Sequence, residues 1–215
     1  EQLARYSFIG TEPHRVLITK GEDKIDPLPL IAEELNKYKL VPVSGLPKFC
    51  GGAVGYLSYE TVTRFEDLPS PVPDPLGLPE SLFMFVDTML IFDHVMHKIK
   101  ILSHAHLDGD IEEAYQKAID RIDDLVDRLN QPLKPSQQMN ANTHPTSEST
   151  LSSNFSREEF EASVLKVKEY VTAGEAIQVV LSQRLSQPTQ ATSFEIYRAL
   201  RTINPSPYMF FLDFK

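Results

Sequence analysis

The segment spanning residues 82–105 constrains the fold of this chain more than any other part of its sequence. Residues 83–92 are apolar at all but two positions, Asp93 and His94 fall where a turn is expected, and residues 98–102 begin by alternating lysine with isoleucine. A long apolar strand followed by an alternating return strand is typical of a β-hairpin with one buried face. We therefore predict a single apolar strand over residues 83–92, paired antiparallel with a second strand.

Apolar residues that alternate with polar ones predict further strands, whereas apolar residues three and four positions apart predict helices. The predicted strands occupy residues 5–10, 16–19, 56–59, 177–185 and 208–212. The predicted helices begin at Asp26, Asp110, Ser156 and Thr192, and the last three end near residues 129, 174 and 203. Ser156 with Glu159 and Thr192 with Glu195 form capping boxes, which fix where two of these helices begin.

A change of composition divides the chain. Residues 131–153 are rich in Pro, Ser, Thr, Asn and Gln and contain few apolar side chains. Such a segment cannot bury enough apolar surface to order itself, so we predict a flexible linker there. The linker separates an N-terminal domain over residues 1–130 from the start of a second domain over residues 154–215.

Charge and cysteine content exclude several classes of function. The formal net charge of -9 argues against binding nucleic acid through its phosphates, and no apolar run approaches the ~20 residues of a membrane helix. The single cysteine, Cys50, is interpreted as structural and fits a reducing, cytoplasmic compartment. Glu1 begins the chain without the features of a signal peptide, and we expect the chain to be part of a longer protein.

Three glycines precede the predicted strand at residues 56–59. Gly51, Gly52 and Gly55 do not have the GxGxxG spacing, and no Lys-Ser/Thr pair follows them as a phosphate-binding loop requires. We therefore predict that these glycines allow close backbone approach or a bulge.

Four histidines lie on and around the predicted hairpin: His94, His97, His104 and His106. The carboxylates or cysteines that would complete a zinc site do not accompany them in the sequence. We interpret them as solvated histidines, and no metal ligand is assigned.

The last twelve residues, NPSPYMFFLDFK, form an unusual corner after the last predicted helix. Asn204 can end the helix in the left-handed conformation, Pro205 stops it, and Pro207 fixes an extended backbone. Two interpretations remain open from these residues alone. The segment is either a proline-terminated helix that leads into a buried strand, or a stiff corner that grips a flat apolar ligand with an aromatic ring and a thioether.

Four motifs together resemble one enzyme family. RYSFIG, GGAVGYLSYE, AIQVVLSQRLS and NPSPYMFF occur in the order, and at roughly the separations, found in the large subunits (component I) of anthranilate synthases, a family of chorismate-utilising enzymes. The resemblance spans nearly the whole chain, and NPSPYMFF is its most specific part. It implies an α+β fold, an antiparallel two-sheet sandwich flanked by helices.

The resemblance also implies an activity for the complete subunit. Family members are Mg²⁺-dependent lyases that convert chorismate and ammonia to anthranilate and pyruvate, the first committed step of tryptophan synthesis. A glutamine amidotransferase partner supplies the ammonia. The family's catalytic histidine and its magnesium-binding glutamates come from motifs downstream of NPSPYMFF, so no catalytic residue is assigned, and we expect these 215 residues alone to be inactive.

What the chain does match is much of the family's feedback site for tryptophan. The motif places Asn204, Pro207, Tyr208 and Met209 at ligand contacts, with Tyr208 and Met209 against the indole. Arg5, in RYSF, is a further candidate that would meet the ligand carboxylate. The family's LLES-like stretch has no counterpart here, because the chain has EQLA before RYSF, and Glu1 is not equated with its glutamate.

Two other functions remain open at this point. The large subunit of aminodeoxychorismate synthase shares the fold, the substrate and often the tryptophan pocket, so only the identity of the product separates the two enzymes. A noncatalytic tryptophan-binding module is the alternative of a different class.

Overall fold

The computed structural model describes residues 5–23, 25–68, 76–132 and 151–214, so most of the predicted linker at 131–153 lies outside the described residues. The described residues up to Pro132, together with those from Pro207 onward, form one compact unit, here called the first unit. The described residues that precede Pro207 and follow the gap form the second unit. No described helix is long and apolar enough to span a membrane.

Strands and helices are both present, as the sequence predicts. The strands are β1 (Tyr6–Thr11), β2 (Arg15–Thr19), β3 (Gly52–Leu57), β4 (Ser81–Val86), β5 (Thr88–Asp93), β6 (Lys98–Ser103), β7 (Ser152–Ser153) and β8 (Leu185–Ser186). The α-helices are α1 (Pro27–Asn36), α2 (Ile111–Asn130), α3 (Arg157–Ala173) and α4 (Ser193–Ile203). All four predicted helices are thus confirmed, and so are the predicted strands at 5–10 and 16–19 and the return strand of the hairpin.

The first unit contains two three-stranded antiparallel sheets, with strand orders β1-β5-β6 and β2-β4-β3. The pairs β1–β5 and β2–β4 follow one another along the chain, and the His14 N–H donates to the Phe85 carbonyl at 3.0 Å between them. Strands β1 and β2 on one side, and β4 and β5 on the other, therefore make one antiparallel ribbon that both sheets share. We call it the shared ribbon.

The prediction of a single apolar strand over residues 83–92 is wrong. Two strands occupy this stretch, β4 in one sheet and β5 in the other, and only Asp87 separates them. The side chain of Asp87 is 10% exposed and binds histidines instead of facing water. Both strands are apolar because both are largely buried. The polar residue between them, Asp87, marks the change of sheet.

The core of the first unit lies on either side of this change of sheet. Val86, Met89 and Ile91 are at most 5% exposed and pack together. Partly buried side chains surround them: Tyr6, Leu46, Met84 and Leu102. Burying an aliphatic side chain of this size stabilises a fold by about 1.5–3 kcal/mol, so these residues hold both sheets to a common core.

Helix α2 begins where the sequence places it. The carboxylate of Asp110 accepts the N–H of Glu113 at 3.1 Å and thereby satisfies a donor of the first turn. Ala118 and Leu125, seven positions apart, are the buried residues of the helix. They lie on its apolar stripe, and the helix packs against β6.

Helix α1 differs from its prediction in what it buries. The spacing of Leu30, Ile31, Leu35 and Tyr38 predicts one apolar face, yet Leu35 is 42% exposed, whereas Glu34 is only 5% exposed. Arg15 of β2 pairs with Glu34, and the Lys37 ammonium lies 2.7 Å from the same carboxylate oxygen. The hydrogen bond from Lys37 and the charge of Arg15 hold the pKa of Glu34 below its ordinary value, although burial opposes them.

Close backbone approach, predicted for the glycines before residue 56, is confirmed at Gly55. This residue pairs with Phe83 across β3 and β4. A Cβ at Gly55 would lie 1.9 Å from the carbonyl oxygen of Leu82 and 2.7 Å from the Cα of Phe83. No side chain fits there without moving one of the two strands, because these are backbone atoms of a central strand.

The second unit has capped helices but no buried residue among those described. Both capping boxes are present, and Gly174 ends α3 in the left-handed conformation with φ of 80°. The spacing of Phe160, Val164, Val167 and Val171 predicts a buried face for α3, but Val164 and Val171 are 38% and 41% exposed. That prediction is wrong for the described chain, because no described element of this unit covers the apolar stripe of the helix.

The predicted strand over residues 177–185 is also not formed as such. Only β8, at its end, pairs with another strand, the two-residue β7. Ile177 and Val180 are 99% and 81% exposed. Alternation predicts a strand only where a neighbour supplies ladder hydrogen bonds. Among the described residues, backbone bonds to this segment begin at Arg184, which bonds with Asn154, and positions 177–183 are not paired as a strand.

Candidate ligand-binding site

The corner predicted to bind a ligand begins at the end of α4. The capping box of Thr192 and Glu195 starts this helix, and the Asn204 N–H donates to the Leu200 carbonyl at 2.9 Å at its end. Asn204 has φ of -136° and ψ of 72°, so the predicted left-handed ending is wrong. The helix stops without it, because Pro205 cannot continue the hydrogen-bond ladder.

The residues that follow do not form the predicted buried strand at 208–212. They run without strand pairing to any described residue, and Tyr208 and Phe210 are 80% and 77% exposed. Met209 is half-buried. The apolar pattern alone misled the prediction, because a strand needs a paired neighbour as well as apolar side chains. Tyr208 therefore presents most of its ring to the surroundings.

The end of the corner contacts sheet β2-β4-β3. The rings of Phe214 and Tyr56 lie 5.8 Å apart between centroids with a tilt of 52°, and the hydroxyl of Tyr56 donates to the Pro79 carbonyl at 2.8 Å. Tyr56 lies in the GGAVGYLSYE motif and Phe214 follows NPSPYMFF. The residues just after NPSPYMFF thus meet the GGAVGYLSYE motif within the first unit.

Arg5 forms an ion pair with a buried carboxylate. Its Nε and one terminal nitrogen donate to the two oxygens of Asp93 at 3.2 and 2.9 Å. The guanidinium also lies 4.8 Å from the centroid of the Tyr6 ring, within the range of a cation–π contact. The Arg5 side chain is 35% exposed, whereas that of Asp93 is 1% exposed.

Four of the five predicted contact residues, Arg5, Pro207, Tyr208 and Met209, belong to the first unit. Asn204 belongs to the second unit. The predicted roles of these residues toward tryptophan stay predictions.

Asp93 → Asn is expected to make the stability of the fold depend less on pH in the acid range. Hydrogen bonds from Arg5, followed by the N–H groups of Met96 and Val95, lower the pKa of Asp93 to about 2, against the effect of burial. This folded-state pKa is below the unfolded one, so its contribution is present above about pH 4 and lost as the pH falls toward 2. Urea midpoints measured from pH 5 to pH 2 should fall less steeply in the variant than in the parent chain.

The control for this experiment is Asp127 → Asn, which changes an exposed carboxylate on α2. It should leave the dependence on pH unchanged. If the urea midpoint fell equally steeply with pH in the parent chain and in Asp93 → Asn, the Asp93 carboxylate would not be the source of the pH dependence.

Sequence analysis missed a cluster around Asp87. The Nδ1 of His14 and the Nε2 of His106 lie 2.9 and 2.7 Å from its Oδ2, and the Nδ1 of His104 lies 3.9 Å from its Oδ1. The prediction of solvated histidines is therefore wrong for His104 and His106, whose side chains are 26% and 27% exposed. The one signal in the sequence was the carboxylate inside an otherwise apolar run.

The other two hairpin histidines lie at its turn. His94 is bonded through Nε2 to the Ser7 hydroxyl at 2.7 Å, and His97 is exposed with φ of 52°. Within the described ranges, no three His, Cys, Asp or Glu side chains are arranged to hold a metal ion.

The fold and the corner define an α+β protein that combines antiparallel sheets with an exposed aromatic segment after a proline-terminated helix. The chain belongs to the family of chorismate binding enzymes, whose family model matches residues 1–215. The predicted fold class is confirmed by a solved structure, anthranilate synthase component I from Streptococcus pneumoniae TIGR4. That structure matches 100% of this chain and 49% of its own with a TM-score of 0.81 at 26% identity.

Curated relatives extend the comparison. Anthranilate synthase component 1 of Acetivibrio thermocellus is 39% identical over 236 residues, which cover 100% of this chain and 46% of the relative. Probable anthranilate synthase component 1 of Schizosaccharomyces pombe is 41% identical over 215 residues, covering 99% and 43%. The chain thus spans less than half the length of these relatives.

Proposed function

We propose that the protein containing this chain is the large subunit of an anthranilate synthase, a lyase that converts chorismate and ammonia to anthranilate and pyruvate in tryptophan synthesis. The observation that supports this proposal most is the breadth of the match. Relatives named anthranilate synthase component 1 match 99–100% of the chain at 39–41% identity. The name component 1 implies a second component, which we propose to be a glutamine amidotransferase that delivers ammonia in the cytoplasm.

The part played by these residues is proposed to be regulatory. Tryptophan would bind at the corner, its indole between the exposed ring of Tyr208 and the thioether of Met209, with Pro207 beside them. A backbone already restrained by prolines loses little entropy on binding, which supports this role. Arg5 would meet the ligand carboxylate, and its pairing with Asp93 would hold the guanidinium in place.

Tryptophan bound at the corner would inhibit a remote catalytic site only if it bound one arrangement of the protein better than another. The residues that hold magnesium and act on chorismate are proposed to lie outside these 215 residues. Mg²⁺ would supply charge stabilisation to chorismate there, and no step of that chemistry is assigned to this chain.

The full-length protein tests the proposed activity. With chorismate, ammonium and Mg²⁺ it should form anthranilate, detected by its fluorescence, and tryptophan should inhibit this reaction. Formation of aminodeoxychorismate instead would overturn the proposal in favour of the sister synthase. Absence of turnover together with tight tryptophan binding would favour a noncatalytic module.

The 215-residue chain alone is predicted to form no anthranilate in the same assay, because no catalytic or metal-binding residue is assigned within it. The full-length protein at the same concentration is the control that shows the assay works. Turnover by the 215-residue chain above that of a reaction without protein would contradict this prediction.

A further inference from the structure

Asp87 occupies the position where the chain leaves one sheet of the first unit for the other. It is the one residue between β4 and β5, and its carbonyl accepts the N–H of His104 at 3.0 Å. Its carboxylate is the acceptor for His14, from the turn between β1 and β2, and for His106, from the segment between β6 and α2. Two separate segments are therefore fastened to a single buried side chain.

The histidines are close to one another as well as to the carboxylate. The rings of His14 and His106 lie 5.7 Å apart between centroids, and the ring of Tyr38, after α1, lies 4.6 Å from that of His106. Each neutral imidazole has one N–H, so His14 and His106 can both donate to Asp87 without carrying charge. One carboxylate compensates one imidazolium, and a second or third positive charge within this space would be repelled.

Other charged groups face this cluster from each neighbouring element. Arg121 of α2 donates to the His104 carbonyl at 2.9 Å, and its charge opposes a proton on that ring. Glu34 of α1 lies within electrostatic range of His14 and is paired with Arg15 and Lys37. The surface beside His106 carries both signs, from Asp108, Asp110, Glu113, Lys117 and Asp120. The charged groups around the cluster thus carry both signs. The carboxylate in direct contact with the histidines is that of Asp87.

We propose that His14, His104 and His106 form a proton-sensitive lock on the change of sheet at Asp87, closed when the rings are neutral and loosened when more than one is protonated. Histidine is the side chain whose charge changes between pH 5 and 8, so the lock would open on mild acidification. Opening would release the bonds that fix the β1–β2 turn and the segment after β6 to the shared ribbon. This inference is independent of the proposed function.

The environment of His104 gives the direction of the effect. Its Nε2 is buried without a hydrogen-bond partner among the described residues, so a charged ring would leave an N–H unsatisfied. Burial lowers the pKa of His104, and Asp87 and the Cys50 backbone only partly oppose this. The unfolded chain then binds more protons than the folded one below about pH 6.5, and stability falls as the pH decreases.

Hydrogen exchange of the 215-residue chain between pH 7.5 and 5.5, corrected for the intrinsic effect of pH, tests the lock. Exchange at residues 84–88 and 103–107 should be about tenfold faster, or more, at the lower pH, because protonation of more than one ring would release the bonds to Asp87. The double variant His104 → Gln with His106 → Gln should lose most of this change. His97 → Asn, at an exposed position with φ of 52° that Asn tolerates, is the matched control and should keep it.

The proposal would be overturned if hydrogen exchange depended on pH equally in the parent chain and the double variant. It would also be overturned if the His97 → Asn control lost this pH dependence. A second measurement needs no variant that could fail to fold. Proton NMR titration should show at least two histidines whose protonation is coupled, because their rings share one carboxylate. Independent titration of all six histidines of the chain near pH 6.5 would also overturn the proposal.

Discussion

Gly55 → Ala is expected to destabilise the first unit by at least about 3 kcal/mol, or to prevent its folding. The added Cβ would lie 1.9 Å from the Leu82 carbonyl oxygen, far inside any van der Waals contact. The atoms it meets are backbone atoms of β4, the central strand of its sheet, so no side-chain rotation can relieve the clash. Either β3 separates from β4 or the shared ribbon shifts, and both changes remove ladder hydrogen bonds from the core.

Urea unfolding followed by tyrosine fluorescence and far-UV circular dichroism measures this loss. Gly109 → Ala is the matched control, because the same change there meets no atom within 4 Å. It should change the free energy of unfolding by no more than about 0.5 kcal/mol. A Gly55 → Ala protein as stable as this control would show that β3 and β4 are not packed as described.

Met209 → Thr in the full-length protein is expected to raise the tryptophan concentration for half-inhibition at least about tenfold, which corresponds to about 1.4 kcal/mol. The substitution removes the sulfur–aromatic contact and the apolar surface proposed to cover the indole. Met209 is half-buried, so Thr leaves little unfilled space in the absence of ligand. Turnover without tryptophan should stay close to that of the parent enzyme, since no catalytic role is assigned to the corner.

The same substitution at Met96 is the matched control, because this methionine is 54% exposed in the turn between β5 and β6. It should leave the response to tryptophan unchanged. Pro207 → Ala should act like Met209 → Thr, more weakly, by restoring backbone freedom that binding must remove. Equal loss of turnover and of inhibition in Met209 → Thr would instead indicate a defect in folding.

Local signals in the sequence were sufficient for the helices and for several strands. The capping boxes at Ser156 and Thr192 fix two helix starts because their hydrogen bonds join residues three positions apart. Close backbone approach or a bulge was likewise predicted for the three glycines that include Gly55, since the residues after them alternate as a strand does. In each of these cases the signal lies within a few residues of the sequence, even where, as at Gly55, the contact itself is with a distant strand.

Contacts between distant segments could not be predicted in this way. Apolar alternation does not state which sheet a strand joins, so the change of sheet at Asp87 was missed. It also does not state whether a neighbour is present, so residues 177–185 and 208–212 were predicted as strands. The histidine cluster depends on three segments that meet only after the sheets form. As for the corner, its residues could be named from their motif, whereas their exposure required the structure.

The shared ribbon has a consequence for folding kinetics. Its strand pairs join residues far apart in sequence, with Thr19 and Ser81 62 positions apart and Arg5 and Asp93 88 positions apart. Such contacts require the closure of long loops before any pairing energy is gained, and chains dominated by them fold slowly. Because both sheets contain the ribbon, the register of the strand pair β1–β5 fixes the register of the strand pair β2–β4. The first unit is therefore expected to form both sheets in a single slow step, with neither sheet completed ahead of the other.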